Sequence, residues 1–189
     1  MLAAALYNRF MGTATIVTVQ EFLALPEVDG QRIELIGGEV VCMGRASKGH
    51  EWVKANLNEL LIAWIIKNPG FKLLPETTFE LSEYDSPIPD LSVYNRSRKT
   101  SDTSGWFQGA PEVAIEVVSS EKASLLEKKF ELYLAHGSKS VWVVFPEQQV
   151  VRIFSASGES RLFDRTQTLE DPTVLPGFSA SVSAIFEGI

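Results

Sequence analysis

The sequence predicts an α/β domain in which helices flank a mixed β-sheet. Three observations lead there. Short runs rich in β-branched residues, at 88–94, 112–118 and 140–145, are apolar on both faces, as strands covered from each side are. Two stretches carry apolar residues at helical spacing instead: Val53, Leu57, Leu60, Leu61 and Trp64 in one, and Leu125, Leu126, Phe130, Tyr133 and Leu134 in the other. Finally, the strand, helix, strand order over 112–145 calls for a parallel pair joined by a crossover. From His50 to Phe145 the order reads helix, three strands, helix, strand (αβββαβ), with hairpins added before and after it.

Composition bounds what such a domain does. A chain of 189 residues, 45% hydrophobic, is long enough for one substantial core. The expectation is an N-terminal leader over 1–17, with no basic region of a signal peptide, followed by one domain over 18–189. No run of about 18 apolar residues suggests a membrane span. A single cysteine, Cys42, excludes an internal disulfide and a multi-cysteine metal site and fits a cytoplasmic protein. A formal charge of −7 argues against tight nucleic-acid binding by the whole surface, because such affinity comes from cations replacing counterions. It leaves room for a local basic loop and for an acidic, metal-holding site.

In chain order, Thr18 and Glu21 form a capping-box pattern at the start of a short helix that ends before Pro26. QRIELIGGEVVCMG then reads as a hairpin around Gly37-Gly38, with Glu34 between Ile33 and Leu35. Glu34 is either an exposed strand carboxylate or a site residue. His50 opens the first long helix on its inward side, as a packed or capping residue or as a functional one, and Asn68-Pro69-Gly70 stops that helix. A strand over 71–81 and a turn over 82–87 follow. The polar stretch 95–110 combines Arg96, Arg98 and Lys99 with Trp106 and Phe107. It suits contact with a phosphate backbone and stacking on a base, or else a solvated loop whose aromatics fold back on the core. The second helix spans 121–136 and ends at Gly137. The strand at 140–145 pairs with 150–154, an edge strand covers 161–164, and the apolar tail LPGFSASVSAIF must pack somewhere.

The chemistry concentrates on two carboxylates. Asp90 and Glu116 each sit among apolar residues in neighbouring strands, and burying them unpaired costs several kcal/mol, so they call for a shared cation or a basic partner. At 100° per residue Lys129 falls inside the apolar arc of the second helix, pointing at the sheet. Lys128 falls on the opposite side, and Lys122, also in the arc, is the second choice. Asp90, Glu116 and the backbone carbonyl of Val117 are the oxygen set a hard divalent ion such as Mg²⁺ takes. With Lys129 placing a water, that set suits metal-assisted hydrolysis of a phosphodiester.

RIELIGGEVVCMGRASKGH, PDLSVY, PEVAIEVVSSEKA, KFELYLAHGSKSVWVV and LPGFSASVSAIF appear in an order that resembles the Uma2 family, the DUF820 group within the PD-(D/E)XK nuclease superfamily. The resemblance implies a restriction-endonuclease-like core, Mg²⁺ as cofactor with Mn²⁺ as substitute, and DNA as substrate. By motif, Asp90 matches the family's PD aspartate and Glu116 its strand glutamate, and Glu34 and His50 match its upstream Glu and His positions. The superfamily places a lysine two residues after the glutamate, where this chain has Val118. The resemblance implies that the lysine has moved to the helix, where KFELY supplies Lys129. Cutting both strands of a duplex favours a homodimer, with the apolar tail and the N-terminal hairpin as interface. The alternative is a catalytically inactive binding or regulatory module that keeps the fold.

Overall fold

Val113, Ile115 and Val117 point to one side of their strand while Ala114 and Glu116 point to the other, and both sides are covered. A computed structural model describes residues 16–25, 32–44, 46–98, 105–119 and 123–189. Among them the chain runs α1 (Val19–Leu23), β1 (Ile33–Ile36), β2 (Glu39–Cys42), α2 (Lys48–Lys67), β3 (Phe71–Pro75), β4 (Phe79–Glu80), β5 (Leu91–Asn95) and β6 (Phe107–Gln108). It continues through β7 (Val113–Val117), α3 (Ala123–Ala135), β8 (Ser140–Phe145), β9 (Val150–Ser155), β10 (Ser160–Phe163), β11 (Thr168–Leu169), β12 (Ala180–Ser181) and α4 (Val182–Ile185). Of the expected leader over 1–17, residues 1–15 lie outside the described residues, as do Lys99 and Lys122, while Val17 is buried.

The main sheet has the order β10-β9-β8-β7-β5-β3, with β7 and β8 parallel and the other neighbours antiparallel. The expected αβββαβ order is present as α2, β3, β5, β7, α3, β8. One face packs on Val53, Leu57, Leu61 and Trp64 of α2, and the other on Leu126 and Tyr133 of α3. Ser47 starts α2 by accepting the His50 N–H at 3.1 Å, which sets the helix two residues earlier than the expected start at His50.

Two strand expectations need correction. The single strand expected over 71–81 is divided, because β3 ends at Pro75 and Glu76 turns the chain away with φ 44°. Phe79-Glu80 then pairs with β6 outside the main sheet. The strand expected from Ile88 starts at Leu91, so Asp90 stands one residue before the ladder, with its carbonyl accepting the Glu76 N–H at 3.2 Å.

The tail is not a free surface. Leu175, Phe178, Val182, Ile185 and Phe186 are buried in the same core as α2, whose Asn56 side chain donates to the carbonyls of Ile185 and Glu187 at 3.0 and 2.9 Å. The interface expected of it is spent on the chain's own core. Among the described residues no helix is long and apolar enough to cross a membrane.

The β1–β2 hairpin turns on Gly37 and Gly38, with φ 60° and 75°, the paired left-handed residues of a type I′ turn. It is pinned to the body by Leu35 and Ser86, which exchange backbone hydrogen bonds at 3.3 and 2.7 Å. A methyl on Gly38 would lie 2.5 Å from Ile16 Cγ2, whereas one on Gly37 meets nothing within 4 Å. Gly37→Ala is therefore expected to cost about 1–2 kcal/mol, the left-handed penalty alone, and Gly38→Ala distinctly more. Urea midpoints at unchanged slope would measure both. Equal losses would remove the steric part of the argument.

Candidate functional site

Leu91 and Ile115 are the last pair of the antiparallel β5–β7 ladder, so Asp90 and Glu116 are the next residues beyond it, where the parallel strands β7 and β8 reach their C-terminal ends. Asp90 is 3% exposed and Glu116 1%. One Asp90 oxygen, Oδ2, accepts the Val117 N–H at 2.8 Å and faces His50 Nε2 at 3.2 Å, and the other, Oδ1, accepts from Arg32 Nη1 at 3.0 Å. Burial by itself would raise the Asp90 pKa. The His50 hydrogen bond and the Arg32 charge override it and hold the carboxyl below the ordinary carboxylate range.

His50 sits in the first turn of α2, its Nδ1 3.2 Å from Glu51 Oε1. Burial pushes the imidazole down, but the hydrogen bond and charge of Asp90, with Glu51 behind, raise it above the usual 6.5. A histidine raised on folding adds stability that is complete below its unfolded pKa and is lost as pH climbs through the folded value. The depressed Asp90 adds stability that is present above its unfolded 3.8 and is lost as acid approaches the folded value. Without added metal, the unfolding midpoint should therefore fall as the pH rises above the ordinary histidine value of 6.5 and through the raised value of His50. His50→Gln should flatten that fall, and an unchanged slope in the variant would assign the effect elsewhere.

The other half of the site comes from β1 and α3. Glu34 is fully buried, and Lys129, also fully buried, places Nζ 2.8 Å from Glu116 Oε1 and 3.1 Å from Glu34 Oε2. Tyr133, one helical turn after Lys129, donates its hydroxyl to Glu116 Oε1 at 2.8 Å. Burial, and then the Glu116 charge, lifts the Tyr133 hydroxyl well above its usual pKa, so it stays a donor. Arg32 joins the halves, since its Nη2 donates to Glu34 Oε1 at 3.1 Å and to the Ile88 carbonyl at 2.8 Å. Three carboxylates thus meet two permanent cations, and a protonated His50 completes the balance.

Glu34, His50, Asp90, Glu116 and Lys129 are brought together. Arg96 and Arg98 are not, because they follow the far end of β5, about 17 Å from Asp90 at strand rise. Arg98 is occupied there, donating to the carbonyls of Ala110 and Gln108 and lying 4.8 Å over the Tyr94 ring. Arg96 is exposed, with Nη1 3.4 Å from the Pro69 carbonyl. Trp106 packs edge-on against Phe22, and Phe107 against Phe79 and Tyr94, so both fold back on the core. Arg32 and Tyr133 were not anticipated. The period-two spacing of Arg32 and Glu34 in one strand run, which puts both on one face, was the available signal for the first.

The donor set has the chemistry of a hard-ion site: two buried carboxylates and the carbonyl end of β7, all oxygen. Among the described residues no three His, Cys, Asp or Glu side chains converge into an ion-holding group. An ion here would therefore rest on Asp90, Glu116, the Val117 carbonyl and water, as Mg²⁺ does with one or two carboxylates.

The model of the Uma2 family, described as "Putative restriction endonuclease", matches residues 19–183. Among solved structures the chain is similar to one described as "a putative nuclease belonging to DUF820" from Anabaena variabilis, with 23% identity and a TM-score of 0.80, covering 90% of this chain and 97% of that one. That likeness shows the nuclease-type fold. It is also similar to a DrdV–DNA complex at 12% identity and a TM-score of 0.37, over 75% of this chain and 14% of that one, too distant to carry an argument. No match is found among curated proteins.

Proposed function

This chain belongs to the Uma2 family, and from that premise we propose that it is a Mg²⁺-dependent DNA endonuclease, with Mn²⁺ as substitute, that hydrolyses phosphodiester bonds at the Asp90–Glu116 site. The observation that carries the reading is the register: the β5–β7 ladder ends at Leu91 and Ile115, so that the next residue on each side is a buried carboxylate, Asp90 or Glu116, and a buried ammonium lies on Glu116. Asp90, Glu116 and the Val117 carbonyl would hold the ion. Bound there, it would polarise the phosphoryl oxygen and lower the pKa of a water.

The remaining work falls to the chain's own side chains. Lys129 donates to the attacking water and offsets the negative charge that builds on the phosphoryl group as the oxygen attacks and the ester bond breaks. Glu34 pairs with that ammonium and aims it. Tyr133 fixes the Glu116 carboxylate, and His50 with the Val117 N–H fixes that of Asp90. The pairing of substrate with a chain of charge −7 rests on a local site rather than on the whole surface. Two copies about a two-fold axis would cut both strands, so sedimentation is expected to show a dimer at micromolar protein.

The deciding experiment incubates supercoiled plasmid with wild-type and Glu116→Gln protein in Mg²⁺, Mn²⁺ or EDTA. Open circles should form with either metal, and neither with EDTA nor from the variant. Folded wild-type protein that nicks nothing under any condition would sink the reading and favour a binding module that keeps the fold.

A further inference from the structure

The geometry points to Arg32 as a resident cation of the candidate metal site, one that an incoming ion displaces from Asp90 onto Glu76. This rests on the metal-site reading above and adds a role for two residues outside its ligand set.

The two Asp90 oxygens are not equally open to an ion. Oδ2 already serves the Val117 N–H and His50, so Oδ1 is the better placed ligand, and Arg32 Nη1 covers it at 3.0 Å. A guanidinium and a divalent ion compete for that oxygen. The two permanent cations of the site differ in freedom. Lys129 is fully buried between its carboxylates, whereas the Arg32 side chain is 24% exposed and lies at the mouth. Arg32 Nε is also buried without a hydrogen-bond partner, so the present seat leaves one donor unsatisfied and lowers the cost of leaving it.

A second seat is waiting. Glu76 Oε1 lies 3.9 Å from Arg32 Nη1 on the rim, with half of its side chain exposed. Lys54 Nζ holds that carboxylate at 2.6 Å, and the Glu76 backbone is kept left-handed, at φ 44°, while its N–H bonds the Asp90 carbonyl. A non-glycine residue in that conformation is costly and persists only where its surroundings impose it. The result is a half-exposed carboxylate held next to the guanidinium. The metal-free site is thereby charge-balanced, and its affinity for an ion is a difference between two cations at one oxygen.

Calorimetric titration of Mn²⁺ into the purified full chain, without substrate, tests this. Arg32→Gln should bind Mn²⁺ roughly tenfold tighter than wild type, the size of one charge-assisted hydrogen bond no longer displaced. Glu76→Gln should bind several-fold more weakly, and that weakening should vanish in the Arg32→Gln background, where no guanidinium needs a second seat. In nitrogen-15 spectra the Arg32 Nε–H resonance should move on Mg²⁺ addition. If Arg32→Gln does not fold, Arg32→Lys keeps the charge without the two-pronged fork and should still bind tighter than wild type. The proposal falls if the arginine variants bind no tighter, or if the Glu76 effect persists without Arg32. Asp90→Asn separates the two levels: wild-type binding that needs Asp90 but ignores Arg32 removes this inference alone. No Mn²⁺ binding by wild type or Arg32→Gln removes the metal-site reading and this inference with it.

Discussion

Lys129→Met is expected to lower the unfolding free energy by about 3–5 kcal/mol, the cost of leaving buried charges without their partner. Methionine matches the lysine stem in length and fills the same space, so little of the loss would come from packing. The loss comes from Glu34 and Glu116, both within 3.1 Å of the ammonium and almost fully buried. Arg32 still reaches Glu34, and Tyr133 still donates to Glu116, but neither replaces a charge lying between the two carboxylates. The same reasoning predicts rescue. Lys129→Met combined with Glu34→Gln should recover much of the loss, because replacing the charges together removes the desolvation cost along with the attraction. Urea unfolding of the single and double variants closes the cycle. A single-variant loss below about 1 kcal/mol would mean that water or a relaxed side chain reaches the carboxylates. A buried cluster that an uncharged set could replace at little cost is poor evidence of selection for stability, and this is the energetic reason to read it as chemistry.

How far the sequence led depends on which period carried the signal. The 100° rule separated Lys129 from its neighbour Lys128, and the structure buries the first and exposes the second. The two apolar runs with one acid each were enough to mark the strands of Asp90 and Glu116 as neighbours, because a buried carboxylate in each called for partners from one shared site. Arg32 escaped because it lies just before β1, outside the apolar run, and only the tertiary seating of the hairpin on Ser86 brings it to Asp90. Tyr133 was legible as a core residue but not as a donor, since helical spacing says which way a ring points and not what its hydroxyl meets. The break in the strand after Pro75 was missed because Glu76 gives no sign in sequence of a left-handed backbone, which glycine or asparagine would have signalled. The cations of 95–110 suit a phosphate backbone by composition, and composition does not give position: Arg96 and Arg98 follow the end of β5 opposite Asp90.

Asp90→Asn should separate chemistry from folding where Lys129→Met mixes them. Asparagine keeps an oxygen for the Val117 N–H, and Arg32 retains Glu34 and the Ile88 carbonyl, so the stability loss should stay near 1–3 kcal/mol, that of weakened hydrogen bonds to a charge. Plasmid nicking should fall about a thousandfold, since a metal ion's transition-state stabilisation is worth several kcal/mol and each 1.4 kcal/mol is tenfold in rate. The variant also removes the charge that raises His50, so the decline of metal-free stability toward alkaline pH should weaken with it. Single-turnover nicking at high Mn²⁺ beside a urea midpoint reads both quantities on one preparation. Near wild-type nicking by a folded Asp90→Asn protein would move the reacting centre away from Asp90. A thousandfold loss with the midpoint nearly kept would mean that the negative charge at this position serves the reaction far more than the fold.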